Sequence, residues 1–329
     1  MKLLIYIFIP FLITYIFTII HKNYLASVDI PNKRSSHEKP TATSGGVGFV
    51  LTSLIFSLFD IYKSGINANL LFIICLPLAV VGFIDDKFNL SNKFRFQIQI
   101  IVVLIILNIS RNFTNSIFID IFNYGIIFSL LSVIIITFFG TSIINLVNFI
   151  DGIDGLLTST TSIVFLYLGF SQNNLFFVMF GSLISFLIFN WEPAQIFMGD
   201  IGSTYIGGLI VAATLSASSF IIFFNILMII SPIILDAGTC ILIRLSKGHN
   251  IFRAHKLHLY QRLNQNHLRH SLITKIYLIS TILMTISAIL GNNFIKILSL
   301  GLLLSVGLVL DKKYAVPFDL AFENQNTKI

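Results

Sequence analysis

The 329-residue chain is 56% hydrophobic and only 11% charged. Soluble domains carry about 25% charged residues, so this composition excludes an ordinary soluble protein and indicates a polytopic membrane protein. The net charge of +7 is explained by basic loops on one side of a membrane, and we expect no nucleic-acid partner. Cys75 and Cys240 both lie in apolar runs, which predicts neither a disulfide nor a thiolate metal site.

Apolar runs predict an all-α integral membrane protein with about 11 transmembrane helices, each needing about 20 apolar residues to cross a bilayer. We interpret the first run as a retained helix, because no convincing signal-peptide cleavage site follows it. Residues 1–329 are interpreted as a single membrane-embedded domain. The predicted spans are 3–20, 46–62, 69–84, 95–110, 124–141, 156–171, 174–190, 202–218, 220–243, 273–290 and 294–310.

The Lys and Arg residues predict the orientation of these spans. With the N-terminus outside and the C-terminus cytoplasmic, most basic residues fall on the cytoplasmic side, as the positive-inside rule requires. The exceptions are Lys2, Lys63, Arg111 and Lys296. The unusual polar segments then all face the cytoplasm, and we expect them to form the active site. These are loops 21–45, 85–95, 142–155, 191–201 and 244–272.

The segment from Asn145 to Leu156 places a polar residue at every third position, at Asn145, Asn148, Asp151 and Asp154. A straight α-helix turns about 100° per residue and would carry the first and last of these to opposite sides. Two glycines in the segment tolerate irregular backbone, which predicts a helix break near Asp151 that turns the carboxylates toward a common pocket. The alternative is a glycine-rich loop with solvated acids.

Three further acids stand out in apolar surroundings. Asp85 and Asp86 are adjacent carboxylates that repel unless a cation lies near them, and oxygen ligands favour Mg²⁺ or Mn²⁺ over zinc. The alternative is a helix end with solvated acids. Asp200 lies between two glycines at a predicted helix start, where it binds a metal, binds a phosphate or caps the helix. Asp236, within a long apolar run, is expected to have a structural or supporting role.

The last cytoplasmic loop contains two histidines three residues apart, His255 and His258, with Arg262 nearby. This spacing puts both on one helical side, and we expect them and nearby cations to bind a diphosphate. A zinc site would fit the spacing but lacks an obvious third ligand nearby in the sequence. His267 and His270 are interpreted as solvated loop residues.

Together these segments resemble the polyprenyl-phosphate N-acetylhexosamine-1-phosphate transferases, of glycosyltransferase family 4 type. These membrane enzymes begin bacterial O-antigen, teichoic acid and peptidoglycan lipid intermediates. The motifs follow one another in the family's order over most of the chain. They are Arg34-x-x-His37-x-x-Pro40 with Gly45-Gly46, Asp85-Asp86 with Leu90-Ser91, Arg95 and Gln99, Asn145-x-x-Asn148-x-x-Asp151-Gly152-x-Asp154-Gly155-Leu156, Asn190 to Asp200-x-Gly202-Ser203, and His255-x-x-His258.

The resemblance implies transfer of a sugar 1-phosphate from a UDP-N-acetylhexosamine to undecaprenyl phosphate, with release of UMP and with Mg²⁺ as cofactor (Mn²⁺ is the alternative). It implies a bacterial inner-membrane protein in contact with membrane lipid, and a homodimer is compatible with it. By resemblance Asp200 is the principal metal ligand, with Asp85 and Asp86 close to it as catalytic and metal-binding residues. One of that pair would position the lipid phosphate.

The resemblance also implies the substrate-binding residues. Those that contact the nucleotide or support its pocket are Asn148, Asp151, Asp154, Asn190 and Phe197, the last beside the uracil. Those that bind the diphosphate or sugar are His255, His258 and Arg262. His37 and Arg95 complete the set.

Two details bear on the branch of the family. Thr43 occupies a position where the family's first inner loop often has arginine. The arrangement of His255 and His258 resembles the O-antigen-initiating branch of lipopolysaccharide synthesis, which favours UDP-GlcNAc or a deoxy relative such as UDP-FucNAc or UDP-QuiNAc. The alternative within the family is the phospho-N-acetylmuramoyl-pentapeptide transferase of cell-wall synthesis. The alternative from another class is a secondary transporter, which predicts acids near the bilayer midplane.

Overall fold

The computed structural model describes residues 2–31, 39–64, 70–110, 125–250 and 255–326. Within these ranges the chain is almost entirely helical. The helices are α1 (Lys2–Ile20), α2 (Val47–Ser64), α3 (Leu70–Ile74), α4 (Leu76–Phe88), α5 (Asn92–Ser110), α6 (Ile126–Phe149), α7 (Leu156–Ser171), α8 (Leu175–Asn190), α9 (Gly199–Leu215), α10 (Phe220–Ser246), α11 (Leu259–Gln265), α12 (His270–Leu290), α13 (Asn293–Tyr314) and α14 (Phe318–Asn326). A π-helical turn, His21–Leu25, continues α1.

Six of the described helices are long and apolar enough to cross a membrane: α1 with its π turn, α5, α6, α10, α12 and α13. Helices α2, α7 and α8 are apolar but shorter. At 1.5 Å per residue, a 16-residue helix such as α7 is about 24 Å long, less than the usual hydrocarbon thickness. The fold is therefore that of an all-α membrane protein. The count of eleven spans and the sides of the two termini remain predictions.

Helix α9 lies at the centre of the bundle. Every residue from Ile201 to Leu215 is buried, and the helix packs chiefly against α4 and α6. A helix that is buried on all sides needs apolar or small residues around its whole circumference, and α9 has both. Helix α13, in contrast, exposes large apolar side chains such as Phe294 and Ile297, as expected of a lipid-facing helix.

Two loops at one end of the bundle are joined through backbone hydrogen bonds. Strands β1 (Val28–Asp29) and β2 (Thr41–Ala42) form a short antiparallel pair. The amide of Phe197 donates to the carbonyl of Ala42 at 2.8 Å, and the amide of Gly45 donates to the carbonyl of Phe197 at 2.8 Å. The loop after α1 and the loop before α9 therefore form one connected layer at this end.

Candidate active site

The connection between α6 and α7 confirms the predicted helix break. Helix α6 ends at Phe149, Gly155 adopts a left-handed conformation with φ +72°, and α7 begins at Leu156. The four residues Asn145, Asn148, Asp151 and Asp154 do not all turn to one pocket, however. The first two are still helical, and the two acids are drawn toward different neighbours across the bundle.

The acids at the ends of α4 and α9 form the centre of the site. The guanidinium of Arg95 donates to Asp200 Oδ2 at 2.8 Å and also forms an ion pair with Asp85. Asp86 Oδ1 accepts from the amide of Asp200 at 2.8 Å, and its Oδ2 accepts from the hydroxyl of Ser44 at 3.0 Å. Three acids, one arginine and one serine therefore share a single hydrogen-bonded network.

Two glycines allow this close approach of α4 to α9. A Cβ atom on Gly82 would lie 2.4 Å from the carbonyl carbon and oxygen of Asp200, which is closer than real contacts allow. Gly199 has φ +72°, and a Cβ there would lie 2.3 Å from Asp86 Oδ2. Larger residues at either position would push the carboxylates apart.

Asn148, near the end of α6, extends the network, and Asp151 in the α6–α7 connection lies near its acids. The side-chain amide of Asn148 donates to Asp200 Oδ1 and to Ser203 Oγ, each at 3.2 Å. The pKa of Asp151 is raised to about 8, first by burial and then by the negative charges of Asp200, Asp86 and Asp154, in that order. We use the name carboxylate cluster for Asp85, Asp86, Asp151 and Asp200.

The carboxylate cluster fits a divalent cation of the Mg²⁺ type. Its side chains offer only oxygen ligands, which suit hard cations. Arg95 is the one cation bonded to Asp85 and Asp200 among the described residues, and it does not balance four acids. Besides burial, the neighbouring negative charges of Asp200, Asp86 and Asp154 contribute to the raised pKa of Asp151. A divalent ion held by Asp200, Asp85 and Asp86 would reduce the excess of negative charge in the cluster.

Other predicted substrate-binding residues lie in the wall around the cluster. Asn190 is buried, accepts from the hydroxyl of Thr158 at 2.7 Å and donates to the carbonyl of Ile196 at 3.0 Å, which holds the loop after α8. Phe197 is half-buried in that same loop. Arg95 and Asn148 contact the cluster directly. His37 lies outside the described residues.

Asp154 joins the α6–α7 connection to α12. Its Oδ1 lies 3.2 Å from Nδ1 of His270, and its Oδ2 accepts from the amide of Ala194 at 3.0 Å. Both Asp154 and His270 are buried. The interpretation of His270 as a solvated loop residue was therefore wrong. Its partner is distant in the sequence, and the local pattern carries no sign of it.

Helix α11 is attached to α10 through Asp236. This carboxylate accepts from the amides of Leu259 and Tyr260 at 2.6 and 3.1 Å, and from the hydroxyl of Tyr277 at 2.6 Å. A carboxylate at a helix N-terminus satisfies amides that have no partner within the helix. Asp236 therefore has the structural role that its position in an apolar run predicted.

Arg262 is occupied by contacts that hold α11 in place. Its Nε donates to the carbonyl of Leu257 at 3.0 Å, its Nη1 donates to the carbonyl of Val316 at 2.9 Å, and it forms an ion pair with Asp311. The guanidinium is buried. None of these partners belongs to the carboxylate cluster.

The two histidines of this loop lie beside the α6–α7 connection. The ring of His258 is 4.9 Å from that of His255 and 5.9 Å from that of Phe149, and the hydroxyl of Tyr260 donates to the carbonyl of Phe149 at 2.9 Å. Burial, and next to it nearby positive groups, lowers the pKa of each histidine to about 3, so both imidazoles are neutral at pH 7.

The fold also places Cys240 of α10 beside His255 and His258. One ligand atom from each of the three lies within 4.8 Å of the others. The sequence shows no third metal ligand close to the two histidines. The fold supplies one, because Cys240 from α10 lies next to them. The one available signal was the position of Cys240 four residues after Asp236, on the same face of α10. Ser44, which donates to Asp86, directly precedes Gly45-Gly46 of the first loop motif, but the sequence did not single it out.

Comparison with known proteins identifies the family. The model described as glycosyl transferase family 4 matches residues 68–218, which contain the whole carboxylate cluster. A phospho-N-acetylmuramoyl-pentapeptide-transferase of Staphylococcus carnosus is 32% identical over 253 residues, covering 68% of this chain and 77% of the relative. The chain belongs to glycosyltransferase family 4.

Two further relatives carry the same name. The protein of Lactobacillus helveticus is 33% identical over 224 residues, covering 61% of this chain and 68% of that protein. The protein of Staphylococcus saprophyticus is 34% identical over 200 residues, covering 53% of this chain and 62% of that protein. Membership of glycosyltransferase family 4 confirms the resemblance drawn from the motifs and makes the chain a glycosyl-transferring membrane enzyme. The family match ends before the histidines from which the branch was predicted.

Proposed function

We propose that this protein transfers an N-acetylhexosamine 1-phosphate from a UDP-sugar to undecaprenyl phosphate, releasing UMP and initiating a lipid-linked cell-surface polysaccharide. The observation that carries the proposal is the carboxylate cluster with Arg95, gathered at one end of an apolar bundle in a member of glycosyltransferase family 4. The donor would be UDP-GlcNAc or a deoxy relative such as UDP-FucNAc or UDP-QuiNAc.

In the proposed reaction, an oxygen of the lipid phosphate attacks the phosphorus that bears the sugar. The bond from that phosphorus to the oxygen bridging the two phosphates breaks, and UMP leaves. A phosphate monoester with a second pKa of about 6 is already largely ionised near neutral pH, so no strong general base is required. We therefore assign Asp85 and Asp86 to positioning the acceptor phosphate and supporting the metal, not to proton abstraction.

Charge is the main obstacle to this reaction, because both substrates carry phosphate. Mg²⁺, or Mn²⁺ in its place, held by Asp200 with Asp85 and Asp86 would neutralise phosphate charge and stabilise the transferring group. Arg95 supplies a fixed positive charge between Asp85 and Asp200. Its guanidinium would orient these two carboxylates when the substrates are absent and contact a phosphate when they are present.

The walls of the site supply the remaining assigned roles. Asn148 at the end of α6 and Asp151 in the α6–α7 connection would bind the nucleotide, with Asn190 and Asp154 supporting that pocket and Phe197 beside the uracil. His255 and His258 are neutral, which supports hydrogen bonding to the diphosphate or sugar and argues against ion pairing. We assign Arg262 to holding α11 in place, because its donors are bonded to protein groups.

A second candidate donor is UDP-N-acetylmuramoyl-pentapeptide. The three relatives reported above are named for that sugar phosphate, which favours this donor. The spacing of His255 and His258 favours the simpler N-acetylhexosamine. The secondary transporter receives less support, because the clustered acids lie at helix ends and in a connection between helices.

The test is UMP release by the purified protein in detergent with undecaprenyl phosphate and Mg²⁺. UDP-GlcNAc, its deoxy relatives and UDP-N-acetylmuramoyl-pentapeptide are supplied separately. We expect release that requires the lipid and the metal, with one donor preferred. Asp200→Asn should lower the rate about 100-fold or more, as removal of a charge-stabilising group commonly does.

Asp319→Asn is the matched control, because Asp319 is exposed and pairs with Lys247 outside the site. It should retain the wild-type rate. Preference for UDP-N-acetylmuramoyl-pentapeptide would show that this donor, and not a simpler UDP-N-acetylhexosamine, is the substrate. No release from any donor by a folded protein would reject both and favour transport.

A further inference from the structure

A second group of metal-binding side chains lies apart from the carboxylate cluster. Cys240, His255 and His258 each offer one ligand atom, and these atoms all lie within 4.8 Å of one another. Cys240 and His258 are almost fully buried, with 3% and 2% of their surface exposed, and His255 is half-buried. We call this group the Cys-His-His cluster.

The fold brings these three residues together through Asp236. Asp236 and Cys240 are four residues apart in α10, so they lie on one face of the helix. The bonds from the amides of Leu259 and Tyr260 to Asp236 fix the start of α11 against that face. The residues just before α11 must then pass over the next turn of α10, where Cys240 lies.

The two imidazoles are in a state that binds metals. Nδ1 of His258 is buried and has no hydrogen-bond partner among the described residues. Nδ1 of His255 accepts a long bond, 3.3 Å, from the amide of Leu257, so the proton of the neutral ring lies on Nε2. Coordination through Nε2 would move that proton to Nδ1 and break this bond. His258 is buried, which favours the neutral imidazole, and metals bind the unprotonated nitrogen of that form.

We propose that Cys240, His255 and His258 bind a Zn²⁺ ion, a site separate from and additional to the oxygen-ligand metal of the proposed transferase reaction. With the ion bound, the two histidines would act on the diphosphate or sugar through the ion and not through hydrogen bonds of their own. A sulfur and two imidazole nitrogens are typical zinc ligands, whereas Mg²⁺ avoids both. Binding would release the thiol proton of Cys240 to solvent. Three protein ligands leave the fourth tetrahedral position for water or a substrate oxygen.

The geometry requires only a small adjustment. Tetrahedral Zn²⁺ with bonds of about 2.1 Å to nitrogen and about 2.3 Å to sulfur separates its ligand atoms by about 3.5 Å. The three atoms, at most 4.8 Å apart, would approach by about 1 Å, which side-chain rotation can provide. The ion would fasten α11 to α10. Through the bond from Tyr260 to Phe149, it would also steady the connection that carries Asp151.

The experiment uses Co²⁺ as a spectroscopic probe in the full-length detergent-solubilised protein after removal of any histidine tag. Cobalt bound to a thiolate gives a charge-transfer absorption in the near ultraviolet. The chain has only two cysteines, so in Cys75→Ser any thiolate band must arise from Cys240. With excess Mg²⁺ present to fill the carboxylate cluster, we expect one Co²⁺ per chain to give this band in the wild type and in Cys75→Ser, and Zn²⁺ to displace it.

In Cys240→Ser the band should disappear, and in His255→Ala and His258→Ala Co²⁺ affinity should fall about tenfold or more. A wild type that binds Co²⁺ without the thiolate band, or binds none, would overturn the proposal, as would a band that is lost in Cys75→Ser and kept in Cys240→Ser. If Cys240→Ser does not fold, the band in Cys75→Ser decides alone. None of these measurements uses transferase activity, so their failure is distinct from failure of the proposed function.

Discussion

At the scale of single residues, the carboxyl group of Asp151 is held among other acids, and this determines its protonation. Its pKa rises from the ordinary 3.8 to about 8, first because of burial and then because of the charges of Asp200, Asp86 and Asp154. Because the pKa is higher in the folded state, the contribution of protonated Asp151 to the free energy of unfolding is complete below pH 3.8. That contribution is lost as the pH rises through about 8. Ionised Asp151 therefore destabilises the protein in the absence of a neutralising cation.

We predict that Asp151→Asn unfolds at a higher temperature than the wild type in Mg²⁺-free buffer, and that the difference grows from about pH 5 to about pH 8. Asparagine keeps the shape but cannot acquire the buried charge. Thermal unfolding of the two proteins at both pH values measures this. Added Mg²⁺ should reduce the difference in unfolding temperature at the higher pH. The control Asp319→Asn should unfold at the same temperature as the wild type. A gap of equal size at both pH values would contradict the raised pKa.

The local sequence shows some of the site residues and conceals others. Asp85, Asp86 and Asp200 stand out because acids in apolar sequence are costly unless they have partners, and the structure brings all three together. His270 and Cys240 could not be predicted as members of polar clusters. Their neighbours come from helices that are distant along the chain, and only the packing of α10, α11 and α12 reveals them.

At the scale of the helices, α4 and α9 pack so closely that the site depends on their spacing. Gly82 lies where a Cβ would be 2.4 Å from the backbone of Asp200, and backbone atoms cannot rotate aside as a side chain can.

The positions of most helices were predictable, because run length and hydrophobicity are local properties. The short α11 was not, because Asp236 of another helix stabilises its first turn.

Gly82→Ala is therefore expected to destabilise the protein by about 1–3 kcal/mol and to lower UMP release about tenfold or more, since α4 and α9 must separate. Gly301→Ala in α13 is the matched control. A Cβ there would meet no atom within 4 Å among the described residues, and alanine favours a helix more than glycine does. Unfolding temperature and UMP release are measured on both variants. Equal behaviour of the two would show that the contact between α4 and α9 tolerates a methyl group.

At the scale of the whole molecule, the polar ends of several helices meet at one end of the bundle. The ends of α4 and α6 and the start of α9 contact one another there, and Asp154 of the α6–α7 connection joins α12 to the same layer. The contacts identify a shared end, whereas the side of the membrane is predicted from the basic residues alone. Four of the 21 Lys and Arg residues fall on the predicted outer side.

This charge asymmetry predicts that the shared end faces the cytoplasm. Ser91, between α4 and α5, lies at that end, and Ser218, between α9 and α10, lies at the opposite end of α9; both are exposed. In a background with Cys75 and Cys240 replaced by serine, a membrane-impermeant maleimide should label Ser218→Cys on intact spheroplasts. Ser91→Cys should react only after permeabilisation. The reverse pattern would invert the orientation, and labelling of both from outside would mean that the chain between Ser91 and Ser218 crosses the bilayer an even number of times.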